Sequence, residues 1–247
     1  KLNLESIKAE YRNVELVSAP LFDENGSDSY TNQMIIGGKP SGIVNMNTVR
    51  HQWAVTIFNK MWSQMWQPQF VDMSSDKISI NQLTQDELES RYDTISFLAF
   101  MDSFQQNNLP NVFEYITSPM VKSCGSVQEA FEAMHTQVYQ FSIEATVPAN
   151  KRDAIYDRWK ENPKLKARIQ TMTTIAENFK SNPTLENYYI MLVMNYILEG
   201  FYFYQGFNYY DQLVHRGKLT GTAKQIDYIR RDEQVHRGLF VNIIKEI

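Results

Sequence analysis

Two glutamates in this chain stand three residues before a histidine: Glu132 before His135 in FEAMHTQVY, and Glu233 before His236 in RDEQVH. The 247 residues hold only four histidines and sixteen glutamates, so chance supplies about a quarter of one such match. Both stretches read as helix. Residues three apart on a helix lie roughly 60° apart on one face, so each carboxylate and its imidazole can reach the same metal ion. Two ions held this way need further oxygens, one inward-pointing carboxylate from each of two other helices. The candidates are acids in apolar surroundings, where an unpaired charge is very costly. Asp102 in FLAFMDSF and Glu199 in NYILEGFYF fit that description. Each alone also reads as a hydrogen-bonded core acid. Taken together, four carboxylates and two imidazoles on four helices form a mostly hard ligand set, which suits iron or manganese rather than a thiolate metal.

The elements that must position these groups are helices throughout. A helix is expected from about Thr48 to Trp66, with Trp53, Ile57 and Trp62 at helical spacing and Pro68 ending it. Thr84-x-x-Glu87 is a capping box that opens a helix to about Phe104, and Ser126-x-x-Glu129 is a second that opens the helix of Glu132 and His135, which stops before Pro148. A charged helical segment spans 150 to 180, and its stretch from Lys151 to Lys166 reads as a solvated face. Asn182-Pro183 is expected to cap a long apolar helix reaching about His215, and Thr222-x-x-Gln225 to open the last one. No strand alternation or internal repeat is visible. The expected class is therefore all-α, a helical bundle over 46–247 preceded by an extension and loop over 1–45.

Composition narrows the function further. The 43% hydrophobic content is ample for a core. A net charge of -4, with no long lysine or arginine run, gives no footprint for nucleic acid or an acidic membrane. The run IIGGKPSGI lacks the spacing of a phosphate-cradling loop. The window 188–207 is apolar enough to span a bilayer, but Asn195, Glu199 and Gln205 would be costly in lipid, so a buried helix is expected. Neither a membrane span nor a signal peptide is expected, and the single cysteine, Cys124, suits a reducing cytoplasm. His51 and His215 are expected at surface or loop positions without a role.

The order Asp102, Glu132-x-x-His135, Glu199, Glu233-x-x-His236, with Tyr139 seven residues after Glu132, resembles the small, radical-generating subunit of class I ribonucleotide reductase. The segments FMDSFQ, WQPQFVDMS, LEGFYFYQGF and TGTAKQIDYIRRDEQVH carry the likeness further. The resemblance implies that the bundle is ferritin-like, that dioxygen reacts with two metal ions per chain and that Tyr139 becomes a stable radical. Iron is the first expectation, with manganese or a mixed manganese and iron pair as alternatives. It implies an apolar radical pocket at Phe203, Phe207 and Ile229, and a transfer route through Asp232 and Trp66. It also implies a large catalytic subunit as partner, since ribonucleotide reduction needs several cysteines, and a homodimer. Family members continue beyond the position of Ile247 with further helices and a tyrosine-bearing docking tail. Two other classes share such ligands: a di-metal oxidase acting on a bound small ligand, and a ferritin-like iron-storage protein.

Overall fold

The computed structural model describes residues 7–247, and no β-strand occurs among them. Among the described residues nine α-helices run in chain order: α1 Gln52–Gln64, α2 Ser74–Ser79, α3 Gln85–Phe113, α4 Pro119–Thr146, α5 Arg152–Glu161, α6 Pro163–Ser181, α7 Leu185–Ile197, α8 Phe203–Val214 and α9 Thr220–Glu246. Between α7 and α8 the chain stays helical but widens into a π-turn, Leu198–Tyr202. The bundle core is formed by α3, α4, the α7–π–α8 rod and α9, with α1 against α4 and α9 on one side and α5 against α3 on the other. At Gly206 the rod comes so close to α3 that an added Cβ would stand 2.7 Å from a Leu98 methyl. The segment from Ile7 to α1 wraps the bundle ends. Its buried Tyr11 hydroxyl accepts from the Ile35 amide, and the Thr117 amide donates to the Ile35 carbonyl at 2.8 Å. No helix among the described residues is long and apolar enough to cross a membrane.

Several helix starts differ from the sequence expectation. The box at Thr84 forms with both hydrogen bonds present. Ser126 and Glu129, however, lie inside α4, which begins seven residues earlier at Pro119. The hydroxyl of Ser118, at its N-cap, contacts His51 Nδ1 at 3.0 Å and makes no cap bond. Likewise α7 is capped by Thr184 rather than Asn182. In α9, Thr222 is the third residue, and its amide and hydroxyl go to a cap from another helix. Asp76 on α2 accepts from the amides of Gly221 and Thr222, both at 2.8 Å, and from the Thr222 hydroxyl at 2.6 Å.

The other differences lie in helix extent and in which residues face inward. The helix α3 continues past Phe104 to Phe113, through Pro110, because Gln105, Asn108, Leu109 and Val112 are buried. The charged segment 150–180 is two helices, broken where Asn162 caps α6 with Pro163 as its first residue. On α1 the buried positions are Ala54, Met61 and Gln64, while Trp62 is exposed, so bulk was a poor guide to phase. His215 is exposed at the end of α8, but His51 is buried.

Candidate metal centre

Asp102 comes from α3, Glu132 and His135 from α4, Glu199 from the π-turn, and Glu233 and His236 from α9; all six are fully buried. Their donor atoms form two groups, Asp102, Glu132, His135 and Glu233 in one and Glu132, Glu199, Glu233 and His236 in the other, each within 4.8 Å. The overlap is chemically informative. Glu132 turns Oε2 to His135 Nδ1 at 3.6 Å and Oε1 to His236 Nδ1 at 3.2 Å. Glu233 does the same, with Oε1 at 3.1 Å from His135 and Oε2 at 2.8 Å from His236. Each of these carboxylates therefore presents one oxygen to each imidazole, the arrangement required to bridge two ions. Asp102 stands 3.1 Å from His135 on one side, and Glu199 4.0 Å from His236 on the other.

The electrostatics describe a site built for cations. Burial pushes the Asp102 and Glu199 carboxyls well above their ordinary range, and the charges of Glu132 and Glu233 add to this. Burial opposes charge on Glu132 and Glu233 as well, yet the adjacent imidazoles outweigh it and hold both below the usual carboxylate range. Burial by itself would lower His236, but Glu233 and Glu132 push it up to about 10, and His135 is raised well above its ordinary value by Asp102, Asp232, Glu132 and Glu233. Four acids thus face two imidazoles with no lysine or arginine among them. Asp102 Oδ2, Glu132 Oε2, Glu199 Oε2 and His236 Nε2 are buried without a hydrogen-bond partner. Unpaired buried charge of this density is sustained by metal ions, and an oxygen and imidazole set with two shared carboxylates fits a pair of them.

Of the remaining predicted residues, Asp232, Trp66 and Tyr139 adjoin this cluster. The far nitrogen of His135, Nε2, lies 3.4 Å from Asp232 Oδ2, and the same oxygen accepts from the Trp66 indole N–H at 2.8 Å. A continuous polar link therefore runs from a metal-facing imidazole to a half-buried indole. The outer face of Trp66 meets Tyr228, ring centroids 4.9 Å apart, and Arg231 binds Asp232 Oδ1 at 2.9 Å. Tyr139 is fully buried one turn beyond His135, and its hydroxyl has no hydrogen-bond partner. Desolvation, and then the charge of nearby Asp102, push its ionisation well above the ordinary phenol value. Phe203 and Phe207 stack on one another at 5.9 Å and share with Ile229 and Tyr139 the same fully buried apolar core.

Two residues in contact with the cluster were missed in the sequence. The Gln105 side-chain amide donates to Glu199 Oε1, and the Gln128 amide donates to the same atom at 2.8 Å and to Glu132 Oε1 at 3.2 Å. Their spacing was a usable signal, since Gln105 follows Asp102 by three and Gln128 precedes Glu132 by four, on the ligand faces of α3 and α4. A cavity of about 840 Å³, lined by Val17, Leu21, Phe22, Pro40 and Pro119 among others, lies in the N-terminal wrap and contains none of the cluster residues.

Residues 43–247 match the family model for the ribonucleotide reductase small chain. The chain is 34% identical over 233 residues to ribonucleoside-diphosphate reductase subunit beta of Halalkalibacterium halodurans, covering 94% of this chain and 67% of that protein. It is 32% identical over 228 residues to the Treponema pallidum subunit beta, covering 92% and 65%. Among solved structures, the ribonucleotide reductase R2 subunit from Clostridium botulinum superposes with a TM-score of 0.90 at 35% identity, over 94% of this chain and 72% of that one. The chain thus spans about two thirds of the length of these curated relatives.

Proposed function

The chain belongs to the ribonucleotide reductase small-chain family, and from that premise we propose that it generates and stores the tyrosyl radical used to reduce ribonucleoside diphosphates on a large catalytic subunit. The observation that carries this reading is the pair of overlapping ligand groups sharing Glu132 and Glu233 beside a dry phenol. Asp102 with His135 would hold one ion, Glu199 with His236 the other, and Glu132 with Glu233 both. When bound, a pair of iron ions, or of manganese or one of each, supplies electrons to dioxygen and oxidising power toward the phenol. The chain's own groups do the rest. Tyr139 gives up an electron together with its hydroxyl proton, and nearby Asp102, ionised once it binds a metal, would take that proton. The apolar surroundings, to which Phe203, Phe207 and Ile229 belong, exclude water and reductants from the resulting phenoxyl. His135, Asp232 and Trp66 form the route for the electron entering during activation and for the oxidising equivalent leaving afterwards.

The large subunit is required because Cys124 is this chain's single cysteine and is buried, its thiol pushed up to about 12 by desolvation. A homodimer working in the cytoplasm completes the reading. The link from His135 to Trp66 favours it over a ligand-binding oxidase or a storage protein, neither of which needs an electron route. The test is to load the protein with iron or manganese, admit oxygen and record the electron paramagnetic resonance spectrum. A tyrosyl signal that disappears in Tyr139→Phe at unchanged metal content supports the proposal, and the same signal in the variant removes Tyr139 from it.

A further inference from the structure

The geometry points to Gln105 and Gln128 as paired positioning residues that occupy one oxygen of Glu199, so that this carboxylate offers the metal pair a single free oxygen, Oε2. The inference rests on the six-ligand reading above and specifies how one of the six is used. Both glutamines are fully buried and come from different helices, α3 and α4, yet their amide nitrogens converge on the same atom, Glu199 Oε1. Their orientation is dictated by chemistry. Once it binds a metal ion this carboxylate is ionised and only accepts, so an amide oxygen turned toward it would be repelled, while the N–H group is attracted. With two donors on Oε1, its lone pairs are taken. Oε2 has no hydrogen-bond partner and looks toward His236.

The need for such a clamp follows from where Glu199 sits. Asp102, Glu132 and Glu233 each lie 2.8–3.6 Å from an imidazole nitrogen, whereas Glu199 comes no nearer than 4.0 Å and takes its hydrogen bonds on Oε1 from the two amides. It is also the one ligand on a π-turn rather than an α-helix, a widened geometry that recurs at functional sites. Without the amides, rotation about its side-chain bonds would allow both oxygens onto one ion, raising the coordination number and closing a position that dioxygen needs. Gln128 also reaches Glu132, so one residue sets the spacing between a shared and a terminal carboxylate.

Cobalt(II) is a suitable probe, because its visible absorption weakens as coordination number rises. Gln→Met at either position keeps length and volume but removes the donor. Titrating wild type, Gln105→Met, Gln128→Met and the double variant with cobalt(II) should give two ions per chain in all four. One of the two should bind about 10- to 100-fold more weakly in the double variant, as expected for loss of the groups that orient a ligand, with weaker visible absorption per ion and intermediate values in the singles. Unchanged spectra and affinities within twofold, with two ions still bound, would overturn the clamp while leaving the six-ligand reading intact. Failure of wild type to take up two ions would overturn both. Should the double variant not fold, as judged by circular dichroism, the spectra of the two singles decide by the same criteria.

Discussion

Asp76→Ala is expected to destabilise the protein by about 4 kcal/mol through the start of α9, the helix that carries Glu233 and His236. The first amides of a helix have no partner within it, and in α9 two of them, at Gly221 and Thr222, donate to the fully buried Asp76 carboxylate at 2.8 Å. Both residues are buried, so water cannot replace the lost acceptor. Each orphaned buried donor costs about 1–3 kcal/mol, and removing the negative charge from the helix N-terminus costs up to about 1–2 kcal/mol more. The Thr222 hydroxyl retains Ser142 at 2.8 Å, which limits the loss there. The sum runs from about 2 to about 8 kcal/mol, and the hydroxyl's retained partner places the expected value near the middle of the lower half, about 4 kcal/mol. Asp76→Asn, which keeps one acceptor oxygen, should lose roughly half as much. Urea denaturation of the metal-free protein followed by far-ultraviolet circular dichroism reads this directly. For a slope of about 3 kcal/mol/M the alanine variant should shift the midpoint down by more than about 1 M. A loss below about 1 kcal/mol would refute the reasoning that Asp76 is the cap of α9.

Three further outcomes are expected. Glu87, held down to about 2 by Lys218, the Thr84 amide and Arg216, contributes stability that is complete above about pH 4.5 and disappears as pH falls through 2. Glu87→Gln should therefore lose about 0.5–1 kcal/mol at pH 7, a small value because the pair is partly solvated, and the difference between variant and wild-type melting temperatures should vanish near pH 2. His51 has the same sign for a different reason. Burial holds its imidazole down to about 4, so the neutral form is favoured in the fold, and stability present above about pH 6.5 is lost as pH falls toward 4. His51→Gln should flatten that part of the stability profile by about 2 kcal/mol, and a profile parallel to wild type would count against it. Trp66→Phe keeps a ring against Tyr228 but removes the donor to Asp232. Metal content and the Tyr139 radical should persist while turnover with the large subunit is lost, and retained turnover would eliminate Trp66 from the route.

The convergence of the six candidate ligands was legible in the sequence because charge in an apolar helix has few explanations, and because a three-residue offset places two donors on one helix face. Gln105 and Gln128 occupy those same faces but were passed over, since a neutral amide carries no such penalty and reads equally well as surface. The same blindness shortened α3: QQNNLP looks like a loop until Gln105 is seen holding Glu199 and Asn108 paired with Asn195 at 3.2 Å. The start of α9 was misplaced because its cap comes from far along the chain. Nothing near Thr222 announces Asp76, 146 residues earlier, and the hydroxyl of Ser118 is diverted to His51. Helix existence is written in local periodicity, whereas the choice of partner for each polar group is a tertiary decision.

The central claim is that two ions share Glu132 and Glu233. Anomalous scattering from crystals grown with manganese or iron tests it most directly. Two peaks are predicted, one in coordination distance of Asp102 and His135, the other of Glu199 and His236, and both in contact with Glu132 and Glu233. A single peak, or density bound elsewhere while these six side chains remain unliganded, would contradict it.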